Sequence, residues 1–503
     1  MKPFFRQLIP IIKIGDMLLF YKKRLLREEK KMSNYDYELI VIGGGAAGLS
    51  SAFTAQNLGK DVALVEEDKL GGECTWSGCV PSKALIKASK VAQQSRGAEK
   101  YGIQTQVEVE SKKVLAYVDS VVADVYEKEK PEVLAEEGIT VLQGRAQFID
   151  KNTLKVGKAE VSAAKIIIAT GSKPYVPPIK GLEEVDYLTN ESFFALDELP
   201  QSMVILGGGA IGVELAQALN RLGVEITVVE MQDSILAREE SDLVQILRDK
   251  LDEEGVNLLT GYRAEKVVKK DGRVVVTALN KDEETRKVEG AELLVAVGRK
   301  PNLASLNLAK IGIETDQQGI AVDNKLRTSV SNIYACGDIV GPYRFSHVSN
   351  YEGVTATLNA LLPLPIKRKV DYSNLLWVTY TDPELAHLGL TESQARKEYN
   401  KIRVYEFDYE DLDRAETDAN GAGKAKFICD SQGIILGAHI LGARAGELIH
   451  EGQILKSLDE SITELSAIIH AYPTYSELNK KVGTAAKVEE LKSKYAWLSK
   501  LIK

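Results

Sequence analysis

Residues 37–68, YELIVIGGGAAGLSSAFTAQNLGKDVALVEED, decide how this chain folds. An apolar run from Leu39 to Ile42 enters three glycines, an alanine-rich stretch follows, and a second apolar run ends on Glu66. The order reads as strand, tight turn, helix, strand. Gly43, Gly45 and Gly48 stand at G-x-G-x-x-G spacing. Glycines there let the backbone turn sharply and approach a pyrophosphate at the positive end of the helix. A carboxylate closing the second strand accepts hydrogen bonds from ribose hydroxyls. One such turn is weak evidence, because glycine-rich strand–helix turns also arise from packing alone.

The pattern returns at residues 202–233, SMVILGGGAIGVELAQALNRLGVEITVVEMQD. Gly207, Gly209, Gly212 and Glu230 lie 164 positions beyond Gly43, Gly45, Gly48 and Glu66, and Leu222-Gly223 keeps that distance from Leu58-Gly59. Two matched turns, each with its acid in place, predict an α/β fold with two doubly wound dinucleotide-binding domains. Three further apolar runs end in glycine turns: IIIATGSKP (166–174), LLVAVGRKPN (293–302) and NIYACGDIVG (332–341), the last leaving Asp338 after Gly337. From Lys369 onward strands such as KAKFICD and GIILGAHILG, with helices between them, predict a third, α+β domain with a mostly antiparallel sheet.

The totals fit three domains. The chain has 503 residues, 44% hydrophobic and 27% charged, so sizeable cores are expected. A net charge of −8 gives no general attraction to nucleic acid. Four cysteines are too few for a disulfide scaffold and fit a reducing compartment, hence a cytoplasmic protein. Residues 1–31 differ, with nine Lys/Arg against Asp16, Glu28 and Glu29. Pro10, Lys13 and Asp16 interrupt the apolar part, which falls short of a spanning segment. It reads as a basic extension, with Met32 as an alternative start, or as an interfacial anchor that meets a membrane. At the other end, Val488, Leu491, Leu498 and Leu501 are spaced helically.

Two of the cysteines fall in GGECTWSGCVPSK, residues 71–83. Five residues of ideal helix separate α-carbons by about 8.6 Å, whereas a disulfide tolerates less than about 7 Å. Cys74 and Cys79 would therefore bond only across a distorted turn, which Gly78 eases, and such a bond is poised for reduction. Two reduced cysteines at a helix start are the other reading. No ligand set for a metal is read from the sequence.

GGECTWSGCVPSKAL resembles the redox-active motif of the FAD-dependent pyridine nucleotide–disulfide oxidoreductases, which include dihydrolipoamide dehydrogenase, glutathione reductase and mercuric reductase. The resemblance runs from about Tyr37 to about Gly483 and takes in both nucleotide turns, ATGS, AVGRKPN, ACGD, TDPELAHLGLTE and AYPTYSE in family order. It implies FAD at Gly43, Gly45, Gly48 and Glu66, with Ala146, Thr170, Gly171, Ser172, Asp338, Ser346 and His347 completing that site. Asp338 would hydrogen-bond the ribityl chain, and SHVSNYEG would start the helix facing the flavin pyrimidine. It implies a nicotinamide nucleotide at Gly207, Gly209, Gly212, Glu230 and Gly298. By the same resemblance Cys79 is the flavin-proximal thiol and Cys74 the interchange thiol of a Cys74–Cys79 disulfide. Lys83 matches the lysine near the flavin's reactive nitrogen, and Glu214 its carboxylate partner. Glu230, with no arginine immediately after it, implies NADH rather than NADPH, since a ribose phosphate would meet like charge.

The substrate end departs from part of the family. Dihydrolipoamide dehydrogenases and glutathione reductases carry a histidine, given by the partner subunit, before the proline of the last motif. Here Tyr472 holds that position, Glu477 matches the carboxylate that orients the histidine, and His470 lies two residues earlier. Mercuric reductases place a tyrosine in this region, and Thr75-Trp76 is also like theirs, yet no cysteine follows Gly483. Cys336 and Cys429 lie in apolar strand patterns and are expected to be buried. The expectation is a homodimer with shared active sites, in a mercuric-reductase-like branch that passes electrons to a disulfide, a soft metal or a quinone-like acceptor. A dihydrolipoamide dehydrogenase subunit of 2-oxo acid dehydrogenase complexes, or a membrane-associated flavin electron-transfer module, are the alternatives. The expected parts are an extension (1–31), an FAD domain (32–175 and 300–370), an NAD domain (176–299), an interface domain (371–487) and a helical tail (488–503).

Overall fold

The computed structural model describes residues 34–363 and 367–495. The basic extension with its anchor reading, Met32, Leu498 and Leu501 lie outside the described residues. Two compact units divide the chain. The first takes the described residues up to Trp76, with Asp124–Lys173 and Arg299–Val370; the second takes Ser77–Ala123, Pro174–Gly298 and the chain from Asp371 onward.

In the first unit the strands Thr140–Gln143, Val62–Glu66, Tyr37–Ile42 and Ala159–Ile168 lie side by side and parallel, with Ile333–Ala335 also parallel to the last. Leu39, Ile40 and Val41 are fully buried, the consecutive burial that a sheet covered on both faces imposes. Each such side chain contributes about 1.5–3 kcal/mol relative to exposure. The strands Thr153–Val156 and Ala146–Phe148 extend the sheet antiparallel. Helices Ala46–Asn57 and Ser346–Leu361 pack on each other, and Gly353 permits it, because a Cβ there would press on Ala47 and Ser51.

The second unit holds the other parallel sheet, in the order Asn257–Thr260, Glu225–Glu230, Ser202–Leu206, Glu292–Val295. Beside it stands a three-stranded antiparallel meander, Arg263–Lys270, Arg273–Leu279 and Thr285–Gly290. The C-terminal sheet runs Leu376–Thr379, Glu384–Gly389, Ile435–Gly442, Lys424–Cys429, Arg403–Asp408, antiparallel throughout as the strand patterns predicted. Helix Cys79–Arg96 belongs to this unit: Ala84, Leu85 and Ile86 join one core with Val213, Ala216 and Leu219 of helix Ala210–Arg221. At the end of the latter helix Arg221, 3% exposed, pairs with Glu254 through Nε at 2.7 Å and Nη2 at 2.6 Å, and with Asp382 at 2.8 Å. This fixes the helix that carries Glu214. The last helix runs Glu477–Lys494, with Val488 and Leu491 partly exposed on it.

Candidate active site

The two glycine turns are built alike. Gly43 and Gly207 adopt φ of +104° and +109°, and a Cβ on either would overlap the carbonyl of Ala169 or Ala296. A Cβ on Gly48 or Gly212 would overlap the carbonyl of Gly43 or Gly207, so these four glycines are required by the protein's own packing. Gly45 and Gly209 are different. Their φ values of −81° and −77° suit any residue; among the described residues a Cβ on Gly45 meets only Gly72 Cα at 3.8 Å, and one on Gly209 meets nothing within 4 Å. Both are N-caps without a side-chain cap, so the first N–H groups of helices Ala46–Asn57 and Ala210–Arg221 keep donors for a ligand. Space beside uncapped N–H groups fits a pyrophosphate. The acids also match: Glu66 accepts from Gly44 N at 2.6 Å and Asp68 N at 2.8 Å, and Glu230 from Gly208 N at 2.5 Å and Gln232 N at 2.7 Å.

In the cysteine stretch a short helix, Gly72–Trp76, carries half-buried Cys74. Neighbours in the first unit anchor it: buried Thr75 donates to Glu129 at 2.8 Å, and the Trp76 indole donates to Leu70 O at 2.8 Å and meets Tyr126 edge-on. Burial raises the Glu129 carboxyl above its ordinary value. The helix stops at Ser77, and Gly78 takes φ −122° and ψ −113°, neither helical nor extended. The distorted turn expected between the cysteines is present in the backbone.

Cys79, exposed, is the first residue of the 18-residue helix Cys79–Arg96, and Lys83 follows one turn later on the same face. Lys83 Nζ lies 2.8 Å from Glu214 Oε2, while the other Glu214 oxygen accepts from Tyr380 N at 2.8 Å. The Tyr380 ring sits 4.5 Å from the ammonium. Glu214 is 7% exposed, so its charge depends on these partners. Burial raises the Tyr380 hydroxyl above the ordinary tyrosine range, with Lys83 opposing. Sequence joined Lys83 to Glu214; Tyr380 escaped it, as a backbone donor leaves no side-chain signal.

Asp338, in the turn Gly337–Ile339, accepts from Ser172 Oγ at 2.6 Å. Arg299, from the GRKPN run, binds Ser172 Oγ at 2.8 Å, stands 3.7 Å from Asp338 and forks onto both carboxylate oxygens of Glu73, the residue before Cys74. Arg299 and Glu73 were missed by the sequence reading; the adjacency of Glu73 to Cys74 was the available signal. Thr170 donates to Asn302 O at 2.9 Å, and Gly171, at φ +68°, accepts from Asn302 N. Ser346 and exposed His347 begin helix Ser346–Leu361, with Phe345 stacked on His347. Ala146 is buried at the start of its strand, and a Cβ on Gly298, at φ +140°, would meet nothing within 4 Å among the described residues.

Residues 37–357 match the family described as pyridine nucleotide-disulphide oxidoreductase, and residues 376–482 its dimerisation domain. The chain belongs to the pyridine nucleotide–disulphide oxidoreductases. Similar proteins include a mercuric reductase of Lysinibacillus sphaericus, 33% identical over 88% of this chain and 81% of that protein. A dihydrolipoyl dehydrogenase of Halobacterium salinarum is 34% identical over 88% and 94%. Among solved structures, the HOCl-induced flavoprotein disulfide reductase RclA of Escherichia coli superposes with a TM-score of 0.80 at 29% identity, covering 89% of this chain and 99% of that one. A Cu(II) complex of RclA has also been solved. The protein is thus an FAD-dependent, NAD(P)H-using flavin disulfide oxidoreductase carrying its family's dimerisation domain.

Within that domain of this pyridine nucleotide–disulphide oxidoreductase, Tyr472 is 69% exposed and its hydroxyl donates to Asp413 at 2.6 Å. That bond raises the phenol further above its ordinary value. Glu477 opens the last helix, and its charge adds to the rise. The His470 ring is held by Glu451 at 3.1 Å and by Ile468 O at 3.1 Å. Asp413 and Glu451 carried no sequence signal, being far in sequence from the residues they bind. Cys336 and Cys429 are fully buried as expected, and burial pushes both thiols far up. No helix among the described residues is long and apolar enough to cross a membrane.

Proposed function

We propose that this enzyme takes electrons from NADH and delivers them through a Cys74–Cys79 disulfide to a soft metal ion or another small acceptor, as mercuric reductases do. Bound FAD supplies the two-electron relay between nicotinamide and sulfur. Per turnover NADH gives up a hydride, which is two electrons and one proton: a soft metal ion takes the two electrons and the proton passes to the medium, whereas a quinone-like acceptor takes both together with a second proton from the medium. Gly45 and Gly209, which no packing need explains, leave room for the two cofactors' phosphates, with Glu66 and Glu230 set for ribose hydroxyls.

The observation that carries the thiol assignment is Cys79 at the start of a long helix with Lys83 one turn on. The helix N-terminus and the ammonium both favour a thiolate there. Glu214, buried beneath, positions Lys83. At the other end Tyr472 is a poor base at neutral pH, and its bond to Asp413 makes it poorer. A positioned base is worth about 10²–10⁴-fold in proton transfer, so acceptors that need one, lipoamide and oxidised glutathione, are disfavoured. Exposed Ile468, Ile469 and Tyr472 offer apolar surface for a homodimer in which each subunit completes the other's site. The low cysteine content supports a cytoplasmic location.

Anaerobic NADH titration followed by an acceptor screen tests the reading. Mercuric ion, cupric ion or a quinone should outpace lipoamide and oxidised glutathione. Preferential lipoamide turnover would transfer the chain to the dihydrolipoamide dehydrogenase branch, which the Halobacterium relative represents. For the nucleotide, kcat/KM should favour NADH over NADPH by at least about tenfold, since a phosphate beside Glu230 costs on the order of a few kcal/mol. Glu230→Ala should narrow that ratio. Equal use of both nucleotides by the unaltered enzyme would refute the role given to Glu230.

A further inference from the structure

Behind the sheet of the dimerisation domain, outside every group used above, lies a cluster whose protons do not balance. His387 and His439 are direct partners on the antiparallel strands Glu384–Gly389 and Ile435–Gly442, 2% and 0% exposed, their rings edge to face at 4.4 Å. His387 Nε2 lies 2.9 Å from Gly389 O, and His439 Nε2 lies 3.0 Å from Leu390 O. Carbonyls only accept, so both Nε2 atoms carry hydrogen and each neutral ring holds its lone pair on Nδ1. His387 Nδ1 faces Glu239 Oε2 at 2.7 Å, while His439 Nδ1 is buried with no hydrogen-bond partner among the described residues. An extra proton on His387 would resolve the first contact. It would leave the second untouched, and burial opposes a second proton on His439.

A cation resolves both. One donor atom each from Glu239, His387 and His439 comes within 4.8 Å of the other two. We propose that these three residues bind one divalent transition cation of the zinc type. Two imidazoles and a carboxylate are a donor set zinc uses, with bonds of about 2.0–2.2 Å that small side-chain rotations would reach. The supporting shell is present: each histidine is oriented by a carbonyl on its far nitrogen, and the Trp377 indole donates to the remaining Glu239 oxygen at 2.7 Å. The Trp377 ring stacks on His387 at 3.8 Å and covers it. The ammonium of Lys426 opposes positive charge at His439, and Glu240, Asp242, Glu392 and Glu406, all within 3.6 Å of it, offset that charge. The ion would tie the segment entering helix Ser241–Glu253 to the C-terminal sheet.

The test uses full-length protein carrying Cys74→Ser and Cys79→Ser, which removes the competing thiols. After chelation, one equivalent of zinc is added, the sample desalted, and retained metal counted by mass spectrometry. One zinc per chain is expected, falling below about one tenth on His439→Phe or Glu239→Gln, since loss of a ligand costs at least as much as the about 10–100-fold that loss of an outer-shell partner does. Circular dichroism and flavin absorbance check that the variants fold. X-ray absorption on the zinc-loaded parent gives an answer even where they do not: a nitrogen and oxygen shell containing two imidazoles supports the site. No retained zinc, retention unchanged in folded His439→Phe, or a shell without imidazole overturns it.

Discussion

Cys79→Ser reduces its acceptor slower by roughly three to six orders of magnitude, the scale on which losing one member of a covalent catalytic unit acts. The substitution swaps sulfur for oxygen on the first residue of a helix whose hydrophobic anchors, Leu85 and Ile86, lie further along. The fold, flavin content and reduction by NADH should therefore persist. Cys74→Ser should lose acceptor reduction to the same extent, yet keep the long-wavelength absorbance of a thiolate beside flavin. Cys79→Ser should lose that band as well. Anaerobic spectra and acceptor turnover, measured on both variants, separate the two thiols. Acceptor turnover within tenfold of the parent in either variant would remove the disulfide from the mechanism.

Gly45→Val and Gly209→Val should each remove one nucleotide and spare the other. Neither position has positive φ, and a Cβ at either meets no described atom closer than 3.8 Å. The folded protein tolerates the change; a phosphate against the helix N-terminus does not. Losing two charge-assisted hydrogen bonds at about 1.5 kcal/mol each is about a hundredfold in Kd. Gly45→Val should be purified nearly colourless with an unchanged melting curve before flavin is added. Gly209→Val should stay yellow but need about a hundredfold more NADH to be half reduced. Gly48→Ala and Gly212→Ala, whose side chains would strike the preceding turn, serve as contrasts and should lower stability itself. If Gly45→Val retains flavin at ordinary affinity, the pyrophosphate does not lie on that helix.

Much of this was legible in one dimension because it repeats. The 164-residue interval between Gly43 and Gly207 and between Glu66 and Glu230 reappears as two turns with the same hydrogen bonds from the same backbone positions. Local periodicity likewise announced the fully buried parallel strands and the antiparallel C-terminal sheet. Pairings between distant residues were silent where no resemblance linked them. Glu73 meets Arg299, Tyr472 meets Asp413, and Glu239 meets His387 across 148 positions, and no spacing rule joins them. The packing of helix Cys79–Arg96 with Val213 and Leu219 was hidden for a related reason. Apolar residues specify that a face is covered, and a single sequence does not say by what.

The burial of Cys336 and Cys429 also makes the molecule its own gauge. Both sulfurs are shut away from reagents and held as inert thiols, so neither contributes to a count taken under native conditions. On the proposed Cys74–Cys79 disulfide, a maleimide assay on folded protein is expected to read a single variable: no adducts per chain in the oxidised enzyme, two once NADH has been supplied. Denaturant adds a constant two to either figure. Whole-molecule labelling stoichiometry thus reports, with no probe built in, how many electrons are held on the Cys74–Cys79 pair at that moment.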